Sequence, residues 1–449
     1  MKQKNQTGQA LIISVLFLVV VLVLVSSLLD FVGLNVRGTR GAVAREQALQ
    51  LAEAGIDKAV WQLNQTAGSY IGETGTALST GVFDVNVATI SAVLREITAT
   101  GYVPDKINTI ATKQIKVRAT IETTGASFFY GIQVGEGGLV MGNNTFVDGN
   151  VYSNGIIDGD SGAIITGDAF SAGPLGRIFD RLQVSGHAHA NRIDTNVTIG
   201  GNAYGQTMNQ VTVAGNVYTN SMSNCSVDGD AFYTTRVSCT VGGTSNTPYL
   251  GAADPPMETM PLSDEQIAEW KSQAEAGGTI IGDLNVLNGS QQNLGPKKIT
   301  GNMLVDNNAR LTITGKIWVQ GNIIFSNNAI IELHPSYGDL SEAIIADGLA
   351  DVVNNVVFQR AGPASYILMV TTSADLNAFD INNNADTLIA YAANGGINIA
   401  NNANLREVTG WRVNLANNAS ITYETGLASL LFSSGPGASW TILRGTWRE

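Results

Sequence analysis

The sequence predicts a mainly β protein on a long N-terminal transmembrane α-helix. A small antiparallel sheet accompanies the helix, and a parallel β-helix interrupted by one short helix follows. Three observations predict this. An apolar run of about twenty residues, Ala10 to Leu29, is long enough as a helix to span roughly 30 Å of hydrocarbon. A unit of the form apolar-x-Gly-Asn/Asp-Ala/Val-Tyr/Phe recurs at Gly149, Gly167, Gly201, Gly215 and Gly229. A second unit, Asn-Asn-Ala, recurs at Asn307, Asn327, Asn383, Asn401 and Asn417.

In chain order, residues 1–8 read as a leader carrying Lys2 and Lys4. The positive-inside bias sets this leader in the cytoplasm and everything after Asp30 outside. A secretory signal would have a shorter apolar core and an A-x-A-like cleavage site, and no such site follows the run. Apolar and small residues continue at helical spacing through Leu34, Ala44, Ala48, Leu51, Ala52, Ile56 and Ala59, which extends a stem helix over 9–65. Within 66–128, "GVFDVNV", "REITATGYV" and "TKQIKVRATI" alternate apolar with polar residues, the period of a half-buried antiparallel sheet.

The start Gly8-x-x-Leu11, the apolar span and the downstream "AEAGI" (Ala52 to Ile56) together resemble type IV minor pilins with a PilX-like N-terminal region. The resemblance covers roughly the first 120 residues. It implies that a prepilin peptidase cuts between Gly8 and Gln9 and leaves Gln9 as an N-methylated first residue. It also implies partners: the membrane, the peptidase and other pilin subunits packed through the helix. One position departs from the family, since pilins usually carry glutamate as the fifth mature residue and this chain has Ile13.

The repeats occupy 129–250 and 279–449. Intervals of about 14 residues between the last three Gly-Asn/Asp units, and about 16 to 20 between adjacent Asn-Asn units, suit one turn of a parallel β-helix, whereas helical repeats need longer units. Asn tolerates left-handed turn conformations, so the Asn pairs are expected to stack as a corner ladder while Val, Ile and Leu point inward. The linker 251–278 contains prolines, then Ser263 and Gln266 in capping-box spacing, which starts a short surface helix ending near Gly277. Cys225 and Cys239 each lie ten residues after a repeat glycine, Gly215 and Gly229. Stacked positions about 4.8 Å apart allow a disulfide, and two thiols are the alternative. Trp440 and Trp447 are expected to cover the final turn as a C-terminal cap.

Evidence for catalysis is sparse. His187 and His189 alternate on one strand face, but His334 is the only other histidine, so no metal site is expected. Asp158 with Asp160, and Asp228 with Asp230, sit in Gly-Asp turns with no basic residue at a fixed offset. No nucleotide loop or catalytic triad is present, so neither an enzyme nor a cofactor is expected. The net charge of −12 excludes nucleic acid as a natural partner. A surface rich in Asn, Thr, Ser and Gly suits hydrogen bonding to surface glycans or another cell.

The expectation is a minor-pilin-like structural subunit at the tip of a type IV pilus or related fibre. It would be a single-pass cytoplasmic membrane protein with an extracytoplasmic C-terminal domain, displayed on a cell-surface fibre after assembly. The alternatives are a membrane-anchored carbohydrate-active β-helix enzyme and a bactofilin-like polymerising scaffold.

Overall fold

The computed structural model describes residues 7–66, 70–91, 94–121, 123–249, 251–382, 388–400, 402–433, 440–443 and 445–448. The chain is mainly β, with parallel sheets, one long apolar N-terminal helix and one short helix. It divides into two compact units, Met1–Thr120 with Trp440–Glu449, and Ile121–Ser439.

In the first unit, α1 (Thr7–Gln65) is 59 residues long, about 90 Å at 1.5 Å per residue. Its first half exposes its apolar side chains, and its second half buries Ala48, Ala52, Ile56, Ala59 and Leu63 along one face. That face meets β1 (Gly72–Leu78), β2 (Gly81–Ser91), β3 (Leu94–Val103) and β4 (Ala111–Ile121), an antiparallel meander in which Val85 opposes Ala99 and Ala99 opposes Ile115. The glycine of "AEAGI" permits the contact: a Cβ on Gly55 would lie 3.0 Å from Ala99 Cβ and 3.1 Å from the Phe83 ring. The strand Trp440–Ile442 extends the sheet beside β4. Trp440 is therefore not part of a cap on the repeats. Its backbone N–H donates to Asn64 Oδ1 at 2.6 Å, and the Arg95 guanidinium lies 4.7 Å from its ring.

The second unit holds the repeats. Strands pair in parallel with equivalent strands one turn of chain before and after, and among the described residues 31 strands join one sheet. The order of stacking is not the order of the chain. Leu415 at the end of the second repeat section pairs with Met141 at the start of the first, so the two sections abut in the middle of the stack. One inward column can be followed throughout. It begins with Leu284, Met303, Ile323, Ala350, Phe379, Ile397 and Val413. Across the junction it continues through Leu139, Ile157, Ile178, Ile193, Met208 and Met222, and it ends at Arg236. Every member from Met303 to Met222 is buried.

Because the sections abut, the segment joining them in sequence must travel the length of the stack. After residue 250 it runs back along one outer face, and it becomes α2 (Asp264–Ala276), whose N-cap Ser263 accepts from the Gln266 N–H at 3.2 Å. The helix does not simply lie on the surface. Trp270 is fully buried beside Phe432, in a second core built with Phe128, Ile345, Leu368, Tyr391 and Leu430.

Candidate functional site

Gly8 and Gln9 lie in the first turns of α1. A peptidase binds its substrate extended, and glycine is the residue that leaves helical geometry most readily. Ile13 is 67% exposed, so an apolar side chain projects from the helix there. The helix is long and apolar enough to cross a membrane by length and composition. Between Lys4 and Arg37, Asp30 is the sole charged residue of the sequence.

In the second unit the Gly-Asn/Asp motif resolves into a hydrogen-bond ladder. Each Asx side chain accepts the backbone N–H of the equivalent residue one turn on: Asn150 from Asp168 at 2.9 Å, Asn202 from Asn216 at 2.8 Å, Asn216 from Asp230 at 2.8 Å and Asp230 from Thr244 at 2.6 Å. Asp283, Asn302 and Asn322 do the same in the other section. The ladder measures the turns, which are 14 residues at the Thr244 end, 19 at the Asp283 end and 27 between Asn322 and Leu349.

The histidines take structural places in these rows. His187 occupies a rung, its Nδ1 accepting the Asn202 N–H at 2.8 Å. His189 belongs to the adjacent outward column, in register between Phe170 and Tyr204, with Tyr218 and Phe232 stacked beyond at 4.8 Å between ring centroids. The returning segment covers this column. Its carbonyls serve as acceptors, from Gln206 Nε2 to Ala252 at 2.7 Å, from the Gly173 N–H to Pro255 at 2.9 Å and from Gln133 Nε2 to Thr259 at 2.8 Å. Tyr152 OH donates to the Pro256 carbonyl. Prolines 255 and 256 have no N–H to leave unpaired in such a strap.

Asn307 and Asn327, each with the asparagine that follows it, adopt left-handed φ values between 50° and 62°. Asn354 and Asn355 repeat the conformation without a following alanine, and Asn354 Nδ2 donates to Asn327 Oδ1 at 3.0 Å. Asn417 precedes Asn418, which has φ 62° and donates its N–H to the Asn143 carbonyl at 3.3 Å across the junction. Asn383 and Asn401 lie outside the described residues. Cys225 and Cys239 are joined by a disulfide.

Asp160 pairs with Arg181 at 3.1 Å. Asp158 is held above the usual carboxylate range, first by burial and then by Asp180. Sequence reasoning missed Glu407, which is 1% exposed. Thr409 Oγ1 donates to its Oε1 at 2.5 Å, while Oε2 has no hydrogen-bond partner among the described residues. Burial raises its pKa well above the ordinary value, which favours the neutral carboxyl over the carboxylate. Among the described residues, no three His, Cys, Asp or Glu side chains converge to hold a metal ion.

No protein-family model and no curated protein matches the chain. Among solved structures, an ice binding protein from an Antarctic bacterium of the Flavobacteriaceae matches at 11% identity, covering 66% of this chain and 82% of that one. Its TM-score is 0.19, too low to carry an argument about fold or function.

Proposed function

We propose that this chain is a minor-pilin-like structural subunit. In this reading α1 is a membrane-spanning stem that packs against other pilin helices, and the repeats form a parallel β-helical head. The head is displayed outside the cell for assembly or surface adhesion, with glycans or another cell as its contact. The supporting observation is the continuity of α1, exposed and apolar at its start and then buried against an antiparallel sheet without a break. A plain anchor needs only about twenty residues. Flanking charge alone does not fix the orientation, because Arg37, Arg40 and Arg45 follow the span as Lys2 and Lys4 precede it. The Cys225–Cys239 disulfide favours an oxidising, extracytoplasmic compartment for the head.

The polymerising-scaffold reading is disfavoured by Arg236. It places an exposed cation at the end of the inward column, where a stacked copy would have to bury it. The test of the pilin reading is the mature N-terminus, determined by mass spectrometry on protein from cells that express a prepilin peptidase. The expected result is N-methylated Gln9. An intact Met1 in those cells would overturn the reading and leave an uncut anchor.

A further inference from the structure

In the first unit, β3 runs toward the N-terminal, lipid-facing part of α1. Two close contacts fix the direction. Gly55 lies against Ala99 on β3, and a Cβ on Gly101 would lie 2.9 Å from Leu51 Cβ, so the next inward residue of β3, the buried Val103, lies further toward the N-terminal part of α1. The loop 104–110 therefore leaves the sheet on the side where α1 continues into its apolar half. The β1–β2 turn lies on the same side, since Leu78, Ser79 and Thr80 line one concavity with Gln47, Gln50 and Leu51.

This loop exposes its apolar residues and is internally ordered. Ile107 is 92% exposed and Ile110 69%. Asp105 Oδ1 accepts the N–H groups of Ile107 and Asn108 at 2.8 and 2.7 Å, and the Ile110 N–H closes the loop onto the Val103 carbonyl at 2.8 Å. Lys106 is turned back to Asp84 at 2.5 Å, which leaves Ile107 at the tip. From Ala44 back to Val36, the last residue of the apolar run before Arg37, is about eight residues or about 12 Å of helix. The tip residue Ile107 is four residues beyond Val103, which bounds its reach toward the same level at about 13 Å. Between Phe31 and Arg45 the sequence has three arginines and no acid. All three arginines are exposed.

We propose that loop 104–110 seats the first unit on the bilayer. Ile107 and Ile110 enter the interface of the membrane that α1 spans, and Arg37, Arg40 and Arg45 form a collar for anionic headgroups. An amphipathic surface of this kind gains from burying apolar side chains and from attraction to anionic lipid. The proposal rests on α1 being a membrane span, and its test separates the two claims.

Full-length protein is reconstituted in phosphatidylglycerol/phosphatidylethanolamine vesicles as Ile107→Cys and, separately, Leu22→Cys. Each is nitroxide-labelled, and its accessibility to oxygen and to a water-soluble nickel complex is measured. The native cysteines are bonded to each other and do not label. Lipid-like accessibility at both positions, with a shallower depth at 107 in vesicles of phosphatidylcholine alone, is the expected result. Water-like accessibility at 107 with lipid-like accessibility at 22 overturns the seating loop and leaves the span standing. Water-like accessibility at both overturns the span as well, and an unchanged depth at 107 in neutral vesicles overturns the headgroup collar.

Discussion

Burial without an opposing charge disfavours the carboxylate, and Glu407 is buried in this way in the strand that abuts the first repeat section. Its pKa is raised above 4.5 by burial, and only Thr409 donates to it. Below the unfolded value the carboxyl is protonated in both states, so it adds no pH dependence there. As pH rises past that value the unfolded chain releases the proton and the folded chain keeps it, so stability falls until the folded pKa is reached. Glutamine keeps the acceptor for Thr409 and cannot ionise. Glu407→Gln is therefore expected to gain on the native protein by about 1.4 kcal/mol per pH unit above the unfolded value. Thermal melts of both proteins from about pH 4 to about pH 8 read this directly. A difference that stays constant across the range would show that Glu407 is already ionised in the fold.

At the level of elements, the end turns of the stack differ from its middle in what they place inward. The column that is apolar from Met303 to Met222 ends in Arg236, which lies over the Tyr233 ring at 5.4 Å and donates to Ser245 Oγ at 3.2 Å. An inward-position charge blocks further strand addition, because a copy stacked on that turn would bury it unpaired. Arg236→Leu removes that barrier and is expected to convert monomer to dimer or larger species in analytical ultracentrifugation of detergent-solubilised protein. An unchanged sedimentation profile would place the barrier elsewhere in the turn. The repeat glycines, the Asn pairs and the phase of the cysteines were legible in the sequence because turn chemistry is local and periodic. Two features were not legible. Trp440–Ile442 completes a sheet more than three hundred residues away, and its partner Asn64 sits at separation 376. The stacking order was hidden too, because Val413 and Leu139 are each ordinary inward residues, and nothing in either segment marks it as facing the other. The histidines were ambiguous for the opposite reason. Alternation put His187 and His189 on one face, and only the register shows that one is a ladder rung and the other a stacked ring.

At the scale of the whole molecule, the chain enters the repeat unit near the middle of the stack and leaves it there. Thr123–Ala126 and Leu430–Ser433, which bracket the unit, pair antiparallel with each other, and the neighbouring strand Ile132–Met141 lies on the junction with Glu407–Leu415. Both ends of the stack are therefore free of chain termini. In the proposed fibre, closely packed stems would space the subunits tightly, and a repeat unit of the size of Ile121–Ser439 on every subunit would crowd its neighbours. The stem adds a second constraint. Pilin stems place a carboxylate at the fifth mature position, costly in lipid unless a neighbouring amino terminus offsets it. With the proposed cut after Gly8 that position would be Ile13, which has no charge to offer a subunit ahead of it. A subunit at the end of the fibre has no such neighbour to satisfy, so the substitution costs nothing there and weakens packing everywhere else. The proposed pilin subunit is thus expected at fibre ends and in low copy number. Immunogold electron microscopy of purified fibres, with antibody raised against the repeat unit, should place gold at one end of a fibre. Regular labelling along the shaft would show that the head is accommodated laterally after all, and fibres without any label would show that the stem does not assemble.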